Sequence, residues 1–146
     1  MRKYCKIYLL IFIFLPLICY PQEECECSKL KFSKKGVLQK GKPFTGKCYN
    51  LYDNGERSSE RSYKDGKDHG PFITWYKNGE MKSEYSTYDG VIDGKYTRWY
   101  ENGQIKEKTT YIKGVKDGEC ISWYENGRKS LEETFVNGKL DGIFRQ

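Results

Sequence analysis

From Gly46 onward, apolar and polar positions return in a fixed order. Gly46, Gly70, Gly94, Gly118 and Gly142 are each 24 residues apart. The sixth residue of each full unit is Leu51, Trp75, Trp99 or Trp123, followed at once by Tyr52, Tyr76, Tyr100 or Tyr124. Next come Asn54-Gly55, Asn78-Gly79, Asn102-Gly103 and Asn126-Gly127, and later Gly66, Gly90, Gly114 and Gly138. The chain thus contains four complete units, 46–69, 70–93, 94–117 and 118–141, and a stub, 142–146, without insertion or deletion. Self-similarity at a period of this length marks a repeat architecture.

Each unit reads as a β-hairpin. Asn-Gly between runs that carry hydrophobic residues is a strong local hairpin signal, because a two-residue type I′ turn needs positive φ at both positions. One predicted strand precedes the turn, as in "KYTRWY", and the other follows it, as in "QIKEKTTYI". The connections from "KDGKDHG" to "NGKLDG" are rich in Gly and Asp and lead into the next unit. No stretch after the N-terminal leader has a helical period. The expected fold is all-β, an antiparallel meander of stacked 24-residue hairpins in which each unit touches only its neighbours.

The first 45 residues lie outside the period. Arg2, Lys3 and Lys6 precede an apolar run from Ile7 to Tyr20, too short for the ~20 residues of a membrane-spanning helix. This is the layout of a secretory signal peptide, taken as residues 1–21, and it predicts an exported chain: periplasmic, in the cell envelope or secreted. Cys19 is a candidate for acylation, although Ile18 before it is larger than a lipoprotein site prefers. Residues 22–45 form a lead-in that ends on "GKPFTG" and covers the first open edge of the array.

The leader changes the charge argument. The formal charge is +6, but three of the 26 basic residues and none of the 20 acidic ones lie in the leader, which leaves +3 on residues 22–146. A mixed surface of that kind is not a nucleic-acid footprint. After the leader come Cys25, Cys27, Cys48 and Cys120, and export permits disulfides. Cys48 and Cys120 stand three repeats apart, roughly 30 Å at the usual strand spacing, beyond disulfide reach. Cys48 can reach Cys25 or Cys27. Cys120 is then a buried small side chain or the site of an intermolecular bridge.

"GKYTRWYENGQIKEKTTYIKGVKDG" resembles the MORN repeat in its variant form, and "GKPFTG" leading into the array is similar to the opening of the YwqK-type antitoxin family. The resemblance spans residues 41–146. It implies a hairpin array used for binding, and the antitoxin name implies a toxin as the protein partner.

Counted outward from a two-residue Asn-Gly turn, Tyr76 faces Met81 and Trp75 faces Lys82, on opposite sides of the sheet. The same count places Tyr100 with Ile105 and Trp99 with Lys106. The Tyr side, with Phe72, Tyr85, Tyr96 and Tyr111, is expected to be the buried one. The Trp side is expected to carry Trp75, Trp99 and Trp123 in steps of roughly 10 Å, together with Lys82, Lys106, Lys108 and Glu84. These tryptophans and lysines are the candidate residues for binding a protein, since Trp and Tyr beside charges are typical of interface hot spots. Stacking of neighbouring hairpins is the competing role for the tryptophans. No nucleophile–base pair, metal-ligand cluster or phosphate loop emerges. His69, the sole histidine, occupies the position of Asp93, Asp117 and Asp141, and Glu60, Glu84 and Glu132 recur with the period. The expectation is a non-catalytic module without cofactor, metal or small-molecule substrate. A structural envelope protein that associates with a membrane surface or with itself is the alternative.

Overall fold

The computed structural model describes residues 23–144, so the predicted leader and Cys19 lie outside the described residues. After β1 (Glu24–Glu26) and a single 3₁₀ turn (Cys27–Lys29), three short strands form a small sheet: β2 (Lys31–Ser33), β3 (Gly36–Gln39) and β4 (Lys42–Pro43). The array follows as β5 (Gly46–Leu51), β6 (Arg57–Lys64), β7 (Lys67–Trp75), β8 (Met81–Tyr88), β9 (Val91–Trp99), β10 (Ile105–Ile112), β11 (Val115–Trp123), β12 (Lys129–Val136) and β13 (Lys139–Phe144). From β5 to β13 each strand pairs antiparallel with the next, as the meander predicts. The exception is β1, which crosses over to pair parallel with β5.

The turns differ from the sequence expectation. In the Asn-Gly loops only the glycine has positive φ: 85° at Gly55, 87° at Gly79, 79° at Gly103 and 81° at Gly127, with Asn54, Asn78, Asn102 and Asn126 outside that region. The N–H of Gly79 donates to the Tyr76 carbonyl (3.1 Å) and that of Tyr76 to the Glu80 carbonyl (2.8 Å), which encloses a three-residue loop. This is a type I turn followed by a left-handed glycine. The asparagine instead braces the loop through its side chain. Its Oδ1 accepts the backbone N–H two residues on, as Asn78 does from Glu80 at 3.0 Å. The two-residue turns with both φ positive sit at the other end of the hairpins, at Asp65-Gly66, Asp89-Gly90, Lys113-Gly114 and Asn137-Gly138.

Gly70, Gly94 and Gly118 lie within the long strands β7, β9 and β11. Between the pairs Tyr85↔Tyr96 and Thr87↔Ile92, Asp93, Gly94 and Lys95 stand against Ser86 alone. Gly94 takes a φ of 95° in this bulge, a backbone shape that glycine adopts without strain.

The lead-in is more than a degenerate cover. Cys25, Leu30, Val37, Phe44, Cys48 and Tyr63 form the buried hydrophobic cluster, with Cys27 packed against it. Phe44 and Tyr63 meet at 6.0 Å between ring centres, so the lead-in and the first hairpin share one core. Cys27, the second of the two partners open to Cys48, forms the disulfide, with Cα atoms 4.9 Å apart.

Candidate functional site

The loop geometry decides which side chains share a face. The extra loop residue pairs Trp75 with Met81 and Trp99 with Ile105, and a register shift beside each tryptophan then restores Thr74↔Ser83 and Arg98↔Glu107. A one-residue slip moves a side chain to the other face. Met81 and Ile105 therefore join the Trp side, and Lys82 and Lys106 leave it. The lysines lie on the Tyr side, with Lys82 Nζ 5.5 Å from the centre of the Tyr76 ring and Lys106 Nζ 5.1 Å from that of Tyr100. Lys108 lies beyond the register shift and stays on the Trp side, between Thr97 and Ile121.

On the Trp side, Trp99, Ile105 and Ile121 line an open hollow of about 430 Å³, rimmed by Lys95, Lys108 and Glu119. Trp75, Trp99 and Trp123 are all half-buried, and Trp123 faces Lys129 rather than an apolar side chain. The ladder is thus uneven, and its apolar centre is at the third unit. Along the row beside it, Ile73 stands between Glu60 and Glu84, and Ile121 between Lys108 and Glu132. Glu60 is not a freely solvated carboxylate. It binds Lys47 Nζ at 2.8 Å and also pairs with Arg57, whose other nitrogen reaches Glu24 on β1 at 2.5 Å.

The Tyr side is the more enclosed. Thr109 and Cys120, directly opposite each other, are buried there, and the Thr109 hydroxyl donates to Cys120 Sγ at 3.0 Å. Phe72, Tyr85, Tyr96 and Tyr111 form a stack with ring centres 5.1, 5.6 and 6.1 Å apart. Arg61 lies over Phe72 at 4.2 Å. Burial is the first cause that holds the Tyr85 and Tyr96 phenols above their ordinary range, so they stay neutral.

The repeated "WY" and "NG" also join one unit to the next. Tyr52, Tyr76 and Tyr100 donate their hydroxyls to the carbonyls of Trp75, Trp99 and Trp123, at 2.5, 2.8 and 2.8 Å. Asn78 and Asn102 donate to the carbonyls of Glu101 and Glu125. At the opposite end, Gly90, Gly114 and Gly138 donate backward to the carbonyls of Asp68, Ile92 and Lys116. Thr45, Asp93 and Asp117 accept the N–H of residues 65, 113 and 137. His69 holds the equivalent place, but its Nδ1 is buried without a hydrogen bond, 3.8 Å from Asp89 Oδ1.

The repeat architecture has a match among known families. Residues 68–89, 92–113 and 116–137 match the family model described as the MORN repeat variant. The three matches follow one another at the 24-residue period. Each match begins on a long strand, passes through the Asn-Gly loop and ends at the first residue of a two-residue turn. No curated protein matches this sequence. MORN repeats are a non-catalytic type generally associated with binding to proteins and membranes.

One surface of the array escaped the sequence reading. Tyr88, Val91, Ile112, Val115 and Val136 flank the two-residue turns and are exposed along that edge. Val91 packs over Gly114 and Val115 over Gly138, close enough that a Cβ at either glycine would lie 2.9 or 2.7 Å from a valine methyl. Apolar residues on both flanks of Asp89-Gly90 and Lys113-Gly114 were the available signal.

Proposed function

We propose that the protein is an exported, non-catalytic array that captures a protein partner on its Trp side. The observation behind this reading is the hollow at Trp99, Ile105 and Ile121, where apolar depth and a rim of opposite charges combine. The apolar leader with its basic start supports export, and the Cys27–Cys48 disulfide fits an oxidising compartment. The toxin as partner, and neutralisation by covering its active surface, rest on the resemblance to the antitoxin family alone.

The test uses both faces. Immobilised protein is exposed to envelope extract, and Trp99→Ala and Lys108→Glu are compared with Lys82→Glu on the opposite face, each variant first shown to be folded. Retention by the wild type and Lys82→Glu, with loss in the other two, is expected. Equal retention by all three variants refutes the Trp-side assignment. A toxin partner should arrest growth when expressed alone, with growth restored by co-expression of the array.

The apolar row at the two-residue turns favours a second reading, association with a membrane surface or with another copy. Vesicle flotation and sedimentation of Ile112→Glu, each against the wild type, test its two forms.

A further inference from the structure

The cap contains a third cysteine that the disulfide leaves over. Cys25 sits on β1 directly opposite Cys48 on β5, in the same parallel register that pairs Glu24 with Lys47. Neighbouring strands run about 4.8 Å apart, inside the Cα window of a disulfide. Cys25 is a buried free thiol in the same cluster as Cys48. Cys48 thus has two partners within reach, one on each side of a two-residue step. They differ in access: Cys25 is buried, and Cys27 lines a surface hollow of about 450 Å³ with Ser28 and Phe32.

We infer that Cys25, Cys27 and Cys48 form a thiol–disulfide exchange site that moves a reactive thiol from the core to the surface. The Cys25 thiolate attacks Cys48 Sγ, a Cys25–Cys48 bond forms, the Cys27–Cys48 bond breaks, and Cys27 leaves as the thiolate. One disulfide and one thiolate are present before and after, so no oxidant is needed. The released Cys27 thiolate then attacks a disulfide-bearing molecule, forming a mixed disulfide at Cys27 and expelling that molecule's other sulfur as a thiolate. The β1 backbone keeps its place, because the N–H of Lys47 donates to the carbonyl of Glu23 at 2.8 Å and Arg57 holds Glu24. Burial first, then Glu23 and Glu26, push the Cys25 thiol above its ordinary range, while Lys29 opposes them. Exchange is therefore slow near neutrality and accelerates with pH.

The oxidised mature chain is incubated across a pH series, quenched with acid and alkylated, and the label is assigned to Cys25 or Cys27 by fragmentation. Label on Cys25 at neutral pH, passing to Cys27 at a rate that climbs about tenfold per pH unit below the thiol's pKa, is expected. Oxidised glutathione added as the probe should modify Cys27. Label confined to Cys25 at every pH overturns the proposal. Cys27→Ser provides a second arm: under air it should close Cys25–Cys48, and a folded Cys27→Ser protein with Cys25 and Cys48 both alkylatable also overturns it. Where that variant fails to fold, the movement of label in the wild-type chain decides alone.

Discussion

Tyr100→Phe isolates one hydrogen bond between repeats. The hydroxyl of Tyr100 donates to the Trp123 carbonyl at 2.8 Å, and the ring lies 5.1 Å from Lys106 Nζ. Phenylalanine keeps the ring, its packing and the cation contact, and loses only the donor. A net hydrogen bond contributes about 0.5–1.5 kcal/mol, and a half-buried carbonyl left without this donor takes the loss toward the upper figure. With a urea slope of about 1–2 kcal/mol/M for a chain of this size, the midpoint should fall by about 0.7–1.5 M. The array supplies its own control in Tyr124, which is 57% exposed and has no such carbonyl among the described residues. Tyr124→Phe should change the midpoint by less than about 0.2 M, the range of an ordinary surface substitution. Tyr76→Phe should match Tyr100→Phe, and the double variant should show near-additive losses, because the two bonds lie a full repeat apart. Since repeat arrays can unfold in parts, amide exchange of β9 to β12 accompanies the melts. Equal effects at Tyr100 and Tyr124, or none at Tyr100, would refute the view that the tyrosine hydroxyls join the units.

Three further outcomes follow from the geometry. Gly46→Ala places a Cβ 2.2 Å from the Glu23 carbonyl oxygen, whereas at Gly55 nothing lies within 4 Å; Gly55→Ala should cost about 1 kcal/mol for its left-handed φ, and Gly46→Ala should cost more and strip amide protection from β1. His69→Thr installs the acceptor that Thr45 provides one unit earlier, at 2.8 Å from the Asp65 nitrogen, and removes a buried nitrogen without a partner. It should stabilise by about 0.5–1 kcal/mol and slow exchange of the Asp89 amide; a drop in melting temperature contradicts this. Tyr63, Tyr85 and Tyr96 have raised pKa values, chiefly from burial. For an acid whose neutral form the fold favours, stability is complete below the unfolded pKa of about 10 and is lost as pH rises through the folded value. Ultraviolet titration should show a late tyrosine class that ionises together with alkaline unfolding, and a single unshifted class would count against it.

The repeat was fully legible, because its period, aromatic pair and Asn-Gly recur without interruption, and the opposite facing of Trp99 and Tyr100 follows from alternation along a strand. The loop type was not. Asn-Gly closes both two-residue and three-residue hairpins, and the true two-residue turns include Lys113, with a φ of 49° that its residue type does not advertise. That single added loop residue misassigned Lys82, Lys106, Met81 and Ile105 while leaving Lys108 in place. The cap was also opaque: residues 24–44 have no repeat to compare with, and the pairing of β1 with β5 depends on contacts distant in sequence. Of the candidate binding residues, the tryptophans and Lys108 share one face, and the apolar hollow beside Trp99 needed the corrected register to appear.

The forward bonds from Tyr and Asn and the backward bonds from the turn glycines each span 22 or 23 residues, just under one period. Splicing in, or cutting out, a block of 24 residues beyond the first unit therefore reconnects every such donor to an equivalent acceptor. Such a molecule changes length by duplication as a ruler gains or loses a division: each step adds roughly 10 Å, and neither the cap nor the remaining units need any new sequence to accommodate it.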